Sequence, residues 1–198
     1  AILDENTSNP DNKIPLVGAI IGNGCVDDNV QNTDTYVEFL KTSKLIPQGA
    51  NPKTRVQANS AVEKNIGYTP NYYDYRLQSI TCAGCFGYNY NEWSHFFIDE
   101  EVKKAMNVCG DAGHDAFAGS AGGCINSIQP FDVNDKFDYV GALANLLDAG
   151  IPLTFYFGKQ DTACDYVGGY TMANSIPWSS QNEFADKELS ALEIAGVE

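Results

Sequence analysis

Two stretches of this chain are almost continuously apolar: Ile14-Pro-Leu-Val-Gly-Ala-Ile-Ile21 and Ile151-Pro-Leu-Thr-Phe-Tyr-Phe157. Both stop at turn residues, Gly22-Asn23-Gly24 and Gly158. Short apolar runs bounded in this way predict strands buried on both faces, as in parallel sheets. Helical spacing appears elsewhere. Tyr36, Phe39, Leu40 and Leu45 mark a helix over residues 33–46. Ile98 to Met106 predicts a short helix capped by Asp99, with acids in its first turn where the helix dipole favours them. Asp135 to Ala149 predicts a stronger one, with Phe137, Val140, Ala144 and Leu147 in one stripe and Gly150 just past its end. A last helix is expected over Glu183–Ile194. Residues 1–13 and the Gly-rich 109–130 read as loops, and 47–72 as an irregular excursion holding one short helix.

A helix running straight into a strand, with a buried strand earlier, is the signature of an α/β fold. Two strands do not complete a doubly wound sheet. The expectation is therefore one partial α/β domain over residues 1–198, interrupted by an irregular, cap-like insertion over about 29–96.

Charge and cysteine content narrow the function classes. The 198 residues carry 26 acidic and 12 basic side chains, a net charge of −14, which is the wrong sign for a nucleic-acid surface. No run approaches the roughly 18 apolar residues of a membrane span. No leader peptide is visible at Ala1. The six cysteines are an even number, and Asn6-Thr7-Ser8 is an N-glycosylation acceptor triplet. Together they lean toward an oxidising compartment, lysosomal, vacuolar or secreted.

Several motifs invite chemistry. Asp161 stands just past an apolar strand, where open α/β sheets place catalytic groups, although a simple turn aspartate would give the same pattern. An orienting acid needs a histidine, and in hydrolases of this layout the histidine follows the acid. His95 and His114 both precede it. Ala118-Gly-Ser120-Ala-Gly122 mimics a nucleophile elbow but lacks the strand before it and the helix after it. Cys82-Ala-Gly-Cys85 has redox spacing without the helix that would stabilise a thiolate. With Cys109 and His114 it offers a zinc set, against which disulfides are the simpler reading. Gly22-Asn23-Gly24 lacks the third glycine of a dinucleotide fingerprint, because Asp27 stands there. Nothing in the chain calls for a cofactor or a metal.

The segments Ile20-Ile-Gly-Asn-Gly24, Tyr73-Asp-Tyr-Arg76 followed by Cys82 and Cys85, Phe97 to Val108, Cys124 before the long helix, and Asp161-Thr-Ala-Cys164-Asp followed by Pro177-Trp178 occur in this order. In order and spacing they resemble the serine carboxypeptidase family of α/β-hydrolases, which includes lysosomal cathepsin A. The resemblance covers residues 15–185 and matches the middle-to-late part of such an enzyme. The family's Gly-Glu-Ser-Tyr-Ala-Gly elbow would lie upstream and its Gly-Gly-His turn downstream.

The resemblance implies a serine carboxypeptidase acting on peptide C-termini. Asp161 would be the acid of its Ser-Asp-His triad, Ala163 and Cys164 would line the pocket beside the nucleophile, and Tyr73 would border the leaving-residue pocket. Its partners would be a peptide substrate and the rest of the enzyme, as one polypeptide or a disulfide-linked chain, and a homodimer is allowed. Cys82 and Cys85 would pair with each other or with near neighbours, Cys124 with a cysteine upstream, and Cys25 with Cys164, because the strands before them are adjacent in the family's sheet. Lys159 departs from the family's Gly-Asp-x-Asp, placing a cation two residues from the acid. The family also holds members that have lost catalysis, so a carboxypeptidase-like binding or structural protein is the alternative.

Overall fold

The computed structural model describes residues 2–32, 34–79, 96, 99–106 and 139–191. Among these residues the sheet has two parallel strands, β1 (Ala19–Gly22) and β2 (Leu153–Tyr156), paired Ala19 with Leu153 through Gly22 with Tyr156. Both strands are shorter than the apolar runs that contain them. Pro15 and Pro152 lie before the strands, and proline has no N–H to give a ladder.

Only one face of this sheet is covered among the described residues, which corrects the expectation of strands buried on both sides. Ile21, Leu153 and Phe155 point toward α6 (Val140–Asp148) and α7 (Tyr166–Ser175) and pack with Leu143, Ala144, Met172 and Ile176. On the other face Ile20 is 75% exposed and Tyr156 62%. Alternation in a strand sends neighbouring side chains to opposite faces, so continuous hydrophobicity sets no limit on how many faces are filled.

The helix expected over 33–46 is α3 (Asp34–Thr42), whose Tyr36, Phe39 and Leu40 are buried. It packs with α4 (Arg55–Ile66) in a second core of Leu45, Ile46, Ala58 and Val62. At 12 residues α4 is longer than the short helix expected in the irregular excursion. Thr54 caps its start by accepting from the Gln57 amide, and Gly67, at φ +84°, ends it in a left-handed turn. Asp99 caps α5 (Glu100–Ala105) as its position suggests, accepting from the amides of Glu101 and Val102. Gly150 follows α6 at φ +77°, the conformation in which a glycine closes a helix at least cost.

Three elements depart from expectation. Residues 2–8 form a helix, α1 (Ile2–Ser8), rather than a loop. Asp4 and Glu5 suit its N-terminal dipole, and the Asn6 side chain both donates to Ile14 O (2.9 Å) and accepts from Ile14 N (2.7 Å), holding the following strand approach against it. The acceptor triplet at Asn6 therefore sits on a helix with its amide engaged. The helix expected over Glu183–Ile194 is only α8 (Gln181–Ala185) within the described residues, and 187–191 are not helical. Phe184 and Leu189 are 45% and 79% exposed, so no buried apolar face sustains it.

The third departure is α7, which periodicity did not suggest. Asp165 caps it, accepting from the Gly168 amide at 2.8 Å. Glycines are poor helix formers, yet Gly168 and Gly169 sit here because the helix lies close to its neighbours. A Cβ at Gly168 would come within 3.2 Å of the Gln31 backbone in α2 (Asp28–Gln31), and one at Gly169 within 2.3 Å of the Phe157 ring. The helix contributes Tyr166 and Val167 to the α3–α4 core and Met172 to the sheet core, so it joins the two. The element between β2 and α7 is the loop that carries Asp161.

Candidate functional site

Strand β2 ends at Tyr156, and the chain turns through Gly158, whose carbonyl accepts from the Asp161 amide at 3.1 Å. Asp161 is 2% exposed. A buried carboxylate with no partners would be costly, and this one has three donors. Its Oδ1 accepts from the backbone amides of Ala163 (2.7 Å) and Cys164 (3.2 Å). Its Oδ2 accepts from Asn23 Nδ2 at 2.8 Å.

Asn23 is the residue that residue-by-residue reading passed over. It sits immediately after β1 with φ +46°, a left-handed conformation that asparagine tolerates better than most residues. Its amide continues the strand ladder to Tyr156 O (2.9 Å), and its Oδ1 accepts from Gly158 N (3.2 Å). One side chain thus spans the ends of both strands and the acid. The signal was its place at the end of β1 in the Gly22-Asn23-Gly24 turn, but its partners are 135 and 138 residues away.

Cys25 and Cys164 form a disulfide with Cα atoms 6.0 Å apart. It joins the segment after β1 to the residue whose amide holds Asp161. Ala163 and Cys164 therefore lie beside the acid and bind it through their backbone. Tyr73 is next to Tyr72, whose carbonyl accepts from Thr162 N (2.7 Å), Thr162 Oγ1 (3.0 Å) and Ala163 N (3.2 Å). Its own side chain is about half exposed, on the turn that flanks the acid loop. The following Asp74 is gripped by the Arg76 guanidinium through both oxygens, at 2.8 and 2.6 Å, and these hydrogen bonds hold its carboxyl below the usual range.

Arg55 brings a cation to this loop. From the first turn of α4 it donates to Thr162 O at 2.7 Å and bonds the Asn32 side chain, and its plane lies 4.1 Å over the Tyr36 ring. Two nearby carboxyls feel opposing influences. Burial pushes Asp161 up, against its two amide donors and Arg55. Burial pushes Asp165 up to about 6, against the amides of Gly168 and Val167 and against Arg55. Lys159 is exposed on the turn before the acid.

His95, His114, Ser120, Cys82, Cys85, Cys109 and Cys124 fall outside the described residues, and with them the elbow mimic, the zinc set and the remaining expected cysteine pairs. Among the described residues no helix is long and apolar enough to cross a membrane.

A buried acid at the carboxyl end of a parallel strand, beside a helix that begins on the same loop, stands where open α/β sheets bind their ligands. The family model described as serine carboxypeptidase matches residues 56–197. The chain belongs to the serine carboxypeptidase family. It is 27% identical over 221 residues to serine carboxypeptidase 3 of Oryza sativa subsp. japonica, covering 98% of this chain and 42% of that protein. It is 27% identical over 208 residues to serine carboxypeptidase 3 of Hordeum vulgare, covering 91% and 39%. The crystal structure of Kex1Δp, a prohormone-processing carboxypeptidase from Saccharomyces cerevisiae, superposes with a TM-score of 0.57 at 18% identity, covering 90% of this chain and 44% of that one, a likeness of fold. The chain spans about two-fifths of the length of these curated relatives.

Proposed function

We propose that this chain supplies the acid of a serine carboxypeptidase, and that Asp161 is that acid. The observation that carries the reading is the grip on its carboxylate. Three donors from two separate places, the β1 end and the consecutive amides of Ala163 and Cys164, hold one buried carboxyl group in a fixed orientation. An orienting acid needs such a fixed direction, because it sets the histidine tautomer and stabilises the imidazolium that forms. The serine would attack the last peptide carbonyl and the histidine would carry the proton, both from segments other than the described residues. The substrate would be a peptide with a free C-terminus. Ala163 and Cys164 would border the pocket and Tyr73 would flank it. An oxidising compartment, vacuolar or secreted, suits the Cys25–Cys164 disulfide.

Asp161→Asn in the full-length protein tests this. Turnover of a peptide substrate is expected to fall by roughly 10⁴, as when other triads lose their acid. Fluorophosphonate labelling complements it: a label on an elbow serine supports the reading. No label, with a control hydrolase reacting in the same sample, favours a carboxypeptidase-like binding protein instead.

A further inference from the structure

We propose that Arg55 is a positioning residue for Asp161, acting through the two peptide groups that follow the acid. The proposal rests on the reading of Asp161 as the catalytic acid. Nη2 of Arg55 donates to Thr162 O at 2.7 Å and approaches Ala163 O at 3.5 Å. The Thr162 carbonyl belongs to the same peptide unit as the Ala163 N–H, and the Ala163 carbonyl to the same unit as the Cys164 N–H. Those two N–H groups hold Oδ1 of Asp161, at 2.7 and 3.2 Å. A guanidinium therefore sits at the oxygen end of two peptide dipoles, and a carboxylate sits at their hydrogen end.

Two effects follow. A cation at a carbonyl oxygen polarises the amide and makes its N–H a stronger donor, because hydrogen bonds in a chain reinforce one another in a low-dielectric setting. The clamp also fixes the tilt of both peptide planes, and with it the direction of the carboxylate. Arg55 is itself held. Its other terminal nitrogen bonds Asn32, and its guanidinium carbon lies over the Tyr36 ring. A lysine would carry the charge without the fork.

The residue reaches the loop from the cap-like insertion, 107 positions away in sequence from Thr162. Arg55 thereby acts on the acid through the intervening peptide groups. Among the described residues, the charged and titratable groups around this arrangement include Arg55 on α4, Tyr36 on α3, Asp165 at the head of α7, Tyr72 and the Asp74–Arg76 pair on the flanking turn, and the exposed Lys159. Arg55 lowers the proton affinity of both Asp161 and Asp165.

Arg55→Gln, Arg55→Lys and Asp161→Asn in the full-length enzyme, assayed with an N-acylated dipeptide across pH, provide the test. Arg55→Gln is expected to lower kcat roughly 10- to 100-fold with KM little changed, as a small misplacement of a catalytic group does. The acid limb of its kcat/KM profile should move to higher pH, since losing a positive charge raises the proton affinity of each nearby base. Arg55→Lys should keep that limb near its original position and lose part of kcat. An unchanged kcat and acid limb in Arg55→Gln, beside an inactive Asp161→Asn, overturns the inference and leaves the proposed function standing. Full turnover in Asp161→Asn overturns the proposed function itself, and this inference with it. If Arg55→Gln does not fold, Arg55→Lys decides alone: a fall in kcat at constant KM supports the role, and an unchanged kcat overturns it.

Discussion

Asn23 Nδ2 donates to Asp161 Oδ2 at 2.8 Å, joining the end of the first strand to the acid that follows the second, across 138 residues of sequence. The same side chain accepts from the Gly158 amide, so it also shapes the turn on which the acid stands. Replacing it removes two hydrogen bonds, one of them to a carboxylate. Asn23→Gly keeps the left-handed backbone available and isolates the lost bonds, with an expected cost of about 1–3 kcal/mol. Asn23→Ala adds the strain of φ +46° and should cost about 1 kcal/mol more. Denaturant titration of the two variants side by side measures both terms, and equal stability of the glycine and alanine variants would show that the conformation carries no strain.

The disulfide between Cys25 and Cys164 closes a separation of 139 residues. Chain-entropy arguments put the ceiling for a loop of that length on the order of 5 kcal/mol, and removal of native bridges commonly costs about 2–5 kcal/mol. The double substitution Cys25→Ala with Cys164→Ala should lower the unfolding midpoint accordingly and loosen the acid loop. Peptide mapping without reduction should recover the joined peptides, and a free thiol at Cys164 would contradict the bridge.

Asp165 gives stability a definite pH dependence. Its carboxyl is raised from 3.8 to about 6 in the folded chain, chiefly by burial. Below pH 3.8 it is protonated in both folded and unfolded states, and its folded state suffers no penalty there. Between 3.8 and about 6 the unfolded chain releases this proton while the folded chain still holds it, so stability falls as pH rises. Once the pH has passed about 6 the advantage is lost in full, a decline on the order of 3 kcal/mol at most. Asp165→Asn keeps an acceptor for the Gly168 amide and should flatten this part of the stability curve. Thermal melts at closely spaced pH values across that window check it, and an identical slope in the variant rules out Asp165 as the source.

Phe39 ties α3 to the turn at Tyr75 and to α7. It is fully buried, and its ring meets Tyr75 edge-on at 6.2 Å and Tyr166 at 5.8 Å. Tyr166 opens the helix that starts on the acid loop. Phe39→Ala should cost about 3–5 kcal/mol. It should also weaken activity, because the packing that holds α3 and α4 also sets the reach of Arg55. Two separate unfolding transitions in the unaltered protein would show that the α3–α4 core and the sheet core are not one cooperative unit.

Much of the local structure was legible in the sequence itself. The 3.6-residue stripes of Tyr36, Phe39 and Leu40 and of Val140, Ala144 and Leu147 encode α3 and α6. The Asp99 cap, the Gly150 stop and the acid after an apolar run are equally local, because each depends on neighbours within a turn or two. The ordered motifs also sufficed to mark the family. Tertiary structure decided what depended on distant partners. Helix α7 survives two glycines because Gln31 and Phe157 press against them, and α1 is held by Ile14 acting on Asn6. Continuous hydrophobicity in β1 and β2 could not say that Ile20 and Tyr156 would face outward, since burial belongs to whatever packs on a face and not to the strand. The candidate site divides in the same way. Asp161 was visible as a residue type at a strand end, whereas Asn23 and Arg55 become its partners only when folding brings residues more than a hundred positions apart within hydrogen-bonding distance.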